Sequence, residues 1–224
     1  MVKTLVILGA CGGARETYWV VRETDPEIEV VFVEDTSEIR EVPVAGRVIP
    51  VVKDWDFSTV RRDLARDDPA AFTQFIVGMS DTKVKKIVVE KALSHGLTPA
   101  PTVISPLAIV RSDCTIGRGG VIQQNSVLTT NITAGDYVII HMARVGHDCV
   151  LGDYVTCSPG CNVAGHVRLD EGVFLGAATV VRQRLHIAPW VITGMQSCVV
   201  KDIEQPGIVM AGVPARQIVK AKTE

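Results

Sequence analysis

The sequence has few aromatic residues, no excess of charge of one sign and no long apolar run. Aromatic side chains make up 5% of its 224 residues, and 23 Lys and Arg balance 25 Asp and Glu to a formal charge of -2. A nucleic-acid partner normally requires a basic surface, so this balance argues against binding of DNA or RNA. No stretch of about 18 apolar residues is present, and a membrane-spanning helix is therefore not expected.

The six cysteines form no CxxC pair and no evenly spaced disulfide framework. In a chain of this length, that pattern predicts free thiols and a cytoplasmic location. The apolar stretch before Cys11 is too short for the core of a secretion signal, and we interpret it as a buried strand. Cys149, Cys157 and Cys161 fall at inward positions of a six-residue repeat, so core packing is their predicted role.

Residues 1–101 alternate strand-like and helix-like segments, which predicts an α/β domain of the Rossmann-like type. Apolar stretches at 2–8, 30–33 and 72–77 predict parallel strands. One helix is expected over residues 14–24, and a second from a cap at Thr82 to about His95. The apolar residues expected on the buried face of the second helix are Val84, Ile87, Val88, Ala92 and Leu93.

From residue 102 to 224 the main signal is a repeat of six residues, which predicts an all-β domain. Counting in sixes from Ile139 to Val199, nine of the eleven first positions are Val, Ile or Leu, whereas these types make up 65 of the 224 residues overall. The fifth positions are all small or apolar. One short strand and a turn per hexad, with three hexads per coil, give a triangular solenoid that advances about 4.8 Å per coil.

Earlier hexads keep the same period one residue out of register. Their first positions are Ile104, Val110, Ile116 and Ile122. This offset predicts a slip of one residue between about residues 122 and 133. The narrow interior of such a prism is filled by stacked aliphatic side chains, which explains the low aromatic content.

Several motifs of this half resemble the left-handed parallel β-helix acyltransferases. They are GHDCVLGDY at 146–154, Ser158-Pro159-Gly160, Ala164-Gly165 and GVPAR at 212–216. Within that family they look like the bacterial sugar acetyltransferases, which include sialic acid O-acetyltransferases and bacillosamine-pathway N-acetyltransferases. The resemblance implies a Rossmann-like N-terminal domain, a homotrimer, no metal cofactor, and acetyl-CoA bound in the cleft between neighbouring prisms.

The resemblance also implies which residues carry out the chemistry. His147 is the expected general base, and Asp148 is the carboxylate that orients it. Gly165 lies 18 residues after His147, hence one coil further along the same side, where its N–H is expected to contact the thioester carbonyl. The other expected acetyl-CoA contacts are His166, Ala177, Gly194, Met195 and Arg216.

The expected acceptor site lies on the N-terminal domain. A glycine-rich turn follows the first strand and an acidic pair follows the second, as in the family's site for a sugar or nucleotide. The expected contacts are Cys11, Gly12, Gly13, Glu34, Asp35 and Gly78. Two positions depart from the family pattern, because Gly13 and Thr156 stand where the family usually has histidines. The sequence leaves open which sugar is the acceptor, whether an amine or a hydroxyl reacts, and whether the acyl group is acetyl.

Two other functions are compatible with the same prism. A γ-type carbonic anhydrase would hold a metal with three histidines, for which His141 and His147 are candidates, but their spacing of six differs from the spacing in that family. A non-catalytic protein that binds nucleotide sugars would keep both domains and lack the thioester cleft. The activity that the sequence favours is acetyl transfer from acetyl-CoA to an amine or hydroxyl of a nucleotide-linked sugar.

Overall fold

The computed structural model describes residues 4–44, 46–57 and 73–218. The chain begins with an α/β unit whose strands are β1 (Thr4–Leu8), β2 (Glu29–Val33), β3 (Glu41–Val44), β4 (Arg47–Val52), β5 (Gln74–Val77) and β6 (Thr98–Pro99). These strands lie in the order β3-β4-β2-β1-β5-β6, and all pairs are parallel except β3 with β4. Helices α1 (Gly12–Thr24) and α2 (Thr82–Ser94) contact β1 and β5. The predicted strand starts at Val2 and Phe72 lie outside the described residues.

The second helix differs from its prediction at its cap and on its buried face. Asp81, not Thr82, caps α2, because its carboxylate accepts hydrogen bonds from the backbone N–H groups of Lys83 and Val84, each at 3.0 Å. The buried residues of α2 are Thr82, Lys85, Val89 and Ala92, whereas the predicted Val84, Ile87 and Leu93 are exposed. The helix packs against the rest of the protein through the side that carries Lys85, so its apolar stripe is left facing a cleft. Neither described helix is long and apolar enough to cross a membrane.

The β-helix consists of three parallel sheets, which we call faces A, B and C, and each coil adds one strand to each face. Face A contains β7 (Val103–Ile104), β10 (Val121–Ile122), β13 (Ile139–Ile140), β16 (Thr156–Cys157), β19 (Phe174–Leu175), β22 (Ile192–Thr193), β24 (Val209–Ala211) and the antiparallel β25 (Arg216–Gln217). Face B contains β8 (Ile109–Val110), β11 (Val127–Leu128), β14 (Arg144–Val145), β17 (Asn162–Val163), β20 (Val180–Val181) and β23 (Cys198–Val199). Face C contains β9 (Thr115–Ile116), β12 (Thr133–Ala134), β15 (Val150–Leu151), β18 (Arg168–Leu169) and β21 (His186–Ile187). The predicted parallel β-helix is confirmed.

The interior follows the predicted hexads from Val145 onward, but the slip lies elsewhere. Ile140, not Ile139, pairs with Cys157 inside the prism, and Leu128 pairs with Val145. One residue is therefore missing between Ile140 and Val145, and the predicted slip between residues 122 and 133 is wrong. Hexad counting could not find it because Ile139 and Ile140 are both apolar and both buried, Ile139 against the α/β unit.

The six cysteines are free thiols, and three of them pack in the interior of the prism. Cys149, Cys157 and Cys161 are buried. Burial raises the pKa of all three thiols, to about 11 for Cys161. A thiol whose pKa is raised is a poor nucleophile at neutral pH, which agrees with the predicted packing role.

Face A is the surface on which the α/β unit sits. Val121, Ile139 and Thr156 point outward from face A, yet each is buried. Ile139 shares a hydrophobic cluster with Phe75 and Val89 of the α/β unit. Because this packing covers face A from β10 to β16, the surfaces left for other tasks are mainly faces B and C and the edges of the prism.

A fully buried lysine lies within this contact. The Nζ atom of Lys85 donates to Oγ1 of Thr156 at 2.8 Å and approaches the carbonyl oxygen of Val155 at 3.5 Å. Burial lowers the pKa of Lys85 to about 7 and outweighs the electrostatic interactions with Cys157 and Asp81, which raise it. The folded state therefore disfavours the ammonium form that the unfolded chain carries.

Replacement of this lysine by methionine is expected to stabilise the protein in a pH-dependent manner. Because the folded pKa of about 7 lies below the ordinary value of 10.5, the penalty is fully present below pH 7 and fades as the pH rises toward 10.5. Lys85→Met should raise Tm at pH 6 by at least about 2–4 °C, the shift expected for 1 kcal/mol in a chain of this size, and by less at pH 9. Lys86→Met is the matched control, since Lys86 is its neighbour on the same helix, is only partly buried and pairs with Glu171 at 2.9 Å. Scanning calorimetry that gave equal rises at both pH values would contradict the assignment.

Candidate active site

His147 lies in the turn from β14 to β15, at the edge where faces B and C meet, which we call edge BC. Its Nδ1 lies 2.7 Å from Oδ2 of Asp148, as expected for a base and the carboxylate that orients it. Asp148 has a backbone φ of 59°, in the left-handed region that Asp tolerates better than most residues. A proton shared between Nδ1 and the carboxylate leaves the lone pair of the ring on Nε2.

Asp148 is held by two further side chains on the same edge. Nδ2 of Asn131 donates to Oδ1 of Asp148 at 2.6 Å, and Nε2 of His166 lies 3.6 Å from Oδ2. The hydrogen bond from Asn131, followed by that from His147, lowers the pKa of Asp148. The carboxylate therefore stays ionised beside the imidazole, where it stabilises the imidazolium that forms when the ring takes a proton.

Sequence reasoning missed Asn131, which stands one coil before Asp148. Its backbone N–H donates to Oδ2 of Asp113 at 3.1 Å, and the hydroxyl of Thr130 donates to the same oxygen. Asn131, Asp148 and His166 all have left-handed φ angles, of 49°, 59° and 58°. This shared turn position places the three residues in one column, but a backbone angle cannot be read from the sequence, and hexad counting alone did not find Asn131.

Gly165 lies directly over the His147 ring, as its spacing predicted. A Cβ at this position would stand 2.5 Å from Nε2 of His147, so any side chain would displace the ring. The ring of His166 meets that of His147 edge-on, with centroids 5.0 Å apart. Both residues therefore contact the expected base.

The other residues expected to bind acetyl-CoA lie on a different edge. Ala177 and the pair Gly194 and Met195 occupy turns from face A to face B, which form edge AB, and Arg216 lies on β25 at the C-terminal end of the prism. Arg216 is exposed and borders a cleft of about 390 Å³ that Lys201 also lines. One chain alone therefore does not bring these residues to His147.

Two basic residues that the sequence analysis did not single out continue edge BC. Arg184 follows β20, one coil beyond His166, and Lys201 follows β23 one coil further. Both side chains are exposed. Edge BC thus carries His147, then Gly165, then two cations, in order toward the C-terminal end.

The glycine-rich turn after β1 lies close to Gly78, which follows β5. A Cβ on Gly13 would stand 3.0 Å from the carbonyl oxygen of Gly78, and Sγ of Cys11 lies 3.7 Å from the same oxygen. Gly12 has open space where a side chain would project. The structure therefore brings Cys11, Gly12, Gly13 and Gly78 together at the start of α1.

The two acidic residues of the expected acceptor site already have partners within the chain. Burial raises the pKa of Glu34, but hydrogen bonds from Ser37 and Thr36 outweigh it and lower the pKa to about 2. Asp35 accepts hydrogen bonds from Lys91 and Trp55, and from the backbone N–H of residue 54. Their carboxylates fix local structure, and a substrate group that donated a hydrogen bond to Asp35 would have to compete with these contacts.

An apolar cleft of about 200 Å³ lies beside these acids, at the carboxyl ends of β2 and β5. Its walls include Trp55, Met79, Val84 and Ile87. The indole nitrogen of Trp55 donates to Asp35 at 2.8 Å, which fixes the ring in the wall. The exposed apolar side of α2 therefore has a place in the architecture: it forms one wall of a pocket on the sheet's carboxyl edge.

His141 is separated from His147 although both belong to the same coil. It follows β13 on edge AB, is buried, and has its Nε2 2.9 Å from Oγ of Ser80. Burial lowers the pKa of His141 to about 4, so the ring stays neutral. Within one chain the two histidines lie on different edges, and His141 is buried with Ser80 as its hydrogen-bond partner, which argues against the carbonic anhydrase alternative.

Known proteins resemble the chain over nearly its whole length. GDP-perosamine N-acetyltransferase of Escherichia coli O157:H7 is 28% identical over 227 residues, which cover 97% of this chain and 97% of that protein. PerB from Caulobacter crescentus, solved in complex with CoA and GDP-perosamine, matches with a TM-score of 0.81 at 26% identity over 98% of this chain and 99% of its own. The acetyltransferase domain of PglB from Neisseria gonorrhoeae FA1090, in complex with acetyl coenzyme A, matches with a TM-score of 0.80 at 27% identity, over 97% of this chain and 100% of its own. No family model matches the chain.

Over nearly its whole length the chain is similar to hexapeptide-repeat β-helix sugar N-acetyltransferases. The predicted family, the predicted acyltransferase activity on a sugar and the predicted co-substrate acetyl-CoA are thereby confirmed. The non-catalytic alternative is set aside by the same matches. The individual roles of the site residues stay predictions.

The part played by Asn131 in this sugar acetyltransferase can be tested with a change that preserves the turn. Asn131→Gly removes the amide but keeps the left-handed backbone. We expect kcat to fall about tenfold or more, the size of effect known for a hydrogen-bond partner that orients a metal ligand, with little change in the KM for acetyl-CoA or in Tm. As a control, the same change is made in the Asp148→Asn variant, and steady-state kinetics are measured for the single and the double variants. If Asn131 acts through Asp148, the change costs nothing further in that background, whereas additive losses would refute this role.

Proposed function

We propose that this sugar acetyltransferase transfers the acetyl group of acetyl-CoA to the amine of a nucleotide-linked amino sugar, with His147 as general base. The observation that carries the proposal is the His147 and Asp148 pair on an exposed edge, with Gly165 against the ring. The amine attacks the thioester carbonyl and Nε2 takes its proton. The carbon–sulfur bond then breaks, and the proton passes to the departing CoA thiolate.

The nucleotide is proposed to bind the α/β unit, the predicted domain 1–101 of Rossmann-like type, which precedes the β-helix domain 102–224. Backbone N–H groups at the start of α1, beside Gly12 and Gly13, suit the phosphates. The apolar cleft lined by Trp55 and Ile87 suits the base, since aromatic and aliphatic walls cover a planar ring. The complexes of PerB with GDP-perosamine support an acceptor of this class.

We further propose a homotrimer in which each active site is shared by two chains. The α/β unit packs on face A and along edge AB, where Glu16 of α1 approaches His141. His147 lies on edge BC, which is opposite face A in a triangular prism. We call the glycine turn at Gly12 and Gly13, together with the apolar cleft, the acceptor platform. The acceptor platform of one chain therefore faces away from the base of the same chain, and a neighbouring chain has to supply the base.

The exposed surface supports such an assembly. Large apolar residues are exposed on edge AB and face B, and they are Leu107, Ile109, Met142, Val180 and Met195. Surface exposure of several large apolar side chains in one region is typical of an interface. Three equivalent clefts between parallel prisms close with threefold symmetry.

The same arrangement gives acetyl-CoA a path between two chains. Gly165 and His166 on edge BC of one chain would contact the thioester end. Arg184 and Lys201 further along that edge suit the phosphates. Ala177, Gly194 and Met195 on edge AB of the neighbour would form the opposite wall. The predicted cytoplasmic location stays a prediction.

The proposed reaction is tested by offering acetyl-CoA with nucleotide-activated amino sugars and with the matching sugars that carry a hydroxyl in place of the amine. Release of free thiol is expected only with the amines. His147→Ala should lower kcat by about 10²- to 10⁴-fold, the usual effect of a positioned general base, and leave acetyl-CoA binding nearly unchanged. Transfer to the hydroxyl sugars would refute the amine assignment, and near-normal turnover by His147→Ala would refute the base.

The shared site predicts that two inactive variants complement each other. Gly12→Glu places a carboxylate in open space at the phosphate platform without a clash, and His147→Ala removes the base. Each variant alone should be nearly inactive. In any mixed trimer, one site combines an intact platform with an intact base, so equal co-expression should restore about a quarter of the wild-type rate.

Light scattering of the mixture provides the control for assembly. It should show a trimer for each variant and for the mixture. Trimers without recovered activity would show that platform and base belong to the same chain, and a catalytically active monomer would refute the shared site altogether.

A further inference from the structure

The groups around the proposed base have the composition of a metal-ligand set. Nitrogen atoms of His147 and His166 and an oxygen of Asp148 lie within 4.8 Å of one another, and no other group of this kind occurs among the described residues. Nδ1 of His147 and Nε2 of His166 stand 2.7 Å and 3.6 Å from the same carboxylate oxygen. Ligands at about 2.0–2.2 Å from a tetrahedral Zn²⁺ ion are about 3.3–3.5 Å apart, and the separations in this cluster, from 2.7 Å to at most 4.8 Å, lie on both sides of that spacing.

We propose that His147, Asp148 and His166 bind Zn²⁺ and that the bound ion reversibly inhibits acetyl transfer. Two imidazoles and one carboxylate match the preference of Zn²⁺ for nitrogen and oxygen ligands in catalytic-type sites, where water completes the tetrahedron. All three side chains are at least a third exposed, so the ion reaches them from solvent. Asn131 and the left-handed turns hold the carboxylate and His166 in place before the ion arrives.

Inhibition follows from which ring nitrogen of His147 carries the proton. In the free enzyme Nδ1 of His147 carries the proton toward Asp148, and Nε2 has the lone pair. An ion bound at Nδ1 occupies that nitrogen, so a neutral ring carries its proton on Nε2. Nε2 then has no lone pair with which to take the proton of the acceptor amine. This consequence rests on the proposed role of His147, whereas binding of the ion does not.

The chain contains a matched pair that lacks the third ligand. Nε2 of His186 lies 2.6 Å from Oδ2 of Asp170 on face C, with exposure similar to that of His166. Within the described residues, no second histidine completes this pair. His186→Gln therefore removes an equivalent histidine and carboxylate contact without touching the proposed metal site.

The experiment titrates Zn²⁺ into the chelator-stripped, full-length protein and follows binding by calorimetry. We expect one Zn²⁺ ion per chain. His166→Gln should lower the affinity at least about tenfold, since even loss of a group that only orients a metal ligand has an effect of that size. His186→Gln should leave the affinity unchanged. Mg²⁺, which prefers oxygen ligands, should not compete.

Acetyl transfer is measured in parallel, for each variant relative to its own metal-free rate. Zn²⁺ should suppress the wild type and His186→Gln, spare His166→Gln at the same concentration, and be reversed by a chelator. Binding that survives His166→Gln, or that is lost in Cys11→Ser instead, would overturn the site. Binding at the site without inhibition would overturn the inhibitory role and the assignment of His147 as base. Failure to bind Zn²⁺ in an enzyme that His147→Ala inactivates would overturn the site alone.

Discussion

Hydrogen bonds between successive coils impose the constraint on which the rest of the structure depends. Each coil lies on the previous one in parallel register, so a turn residue stands over the residue 17 or 18 positions earlier. Asn131, Asp148 and His166 are therefore neighbours in space because they share a turn position, not because they are close in sequence. All three have left-handed backbone angles, and their polar side chains are arranged in one row along edge BC. Gly165 belongs to the adjacent row, where the lack of a side chain leaves room for the His147 ring.

The same register explains how far the β-helix and its site could be predicted from the sequence. Apolar hexads reveal which residues point inward, and from Val145 onward this was enough to place Gly165 against His147. The shortened coil between Ile140 and Val145 carries no such signal, because the shift falls where two isoleucines are both buried. Misplacing it hides Asn131, since a full coil of 18 residues puts position 130, not 131, beside Asp148. An error of one residue in the register is therefore enough to leave Asn131, which holds Asp148, out of the predicted site.

Packing between the two halves of the chain explains why the hydrophobic pattern predicted the wrong buried side for α2. The pattern assumes that the apolar side of a helix is the buried side. In α2 the buried side carries Lys85 together with Val89 and Ala92, which pack in the cluster shared with face A, and Thr156 accepts a hydrogen bond from the buried lysine. The apolar side is left over for the cleft with Trp55. Only the identity of the opposing surface decides between these two orientations, and that surface is about 70 residues away in sequence.

The position of the α/β unit on the prism also determines where the acceptor platform lies relative to His147. By covering face A, the unit places the glycine turn and the apolar cleft on the far side of the prism from His147. His141 and His147 nevertheless belong to one coil, so the platform on edge AB and the base on edge BC stand at the same height along the prism. Parallel prisms related by threefold symmetry keep equal heights together. Packing within one chain therefore sets the level at which a platform and a base from two chains would meet, before any contact between chains has formed.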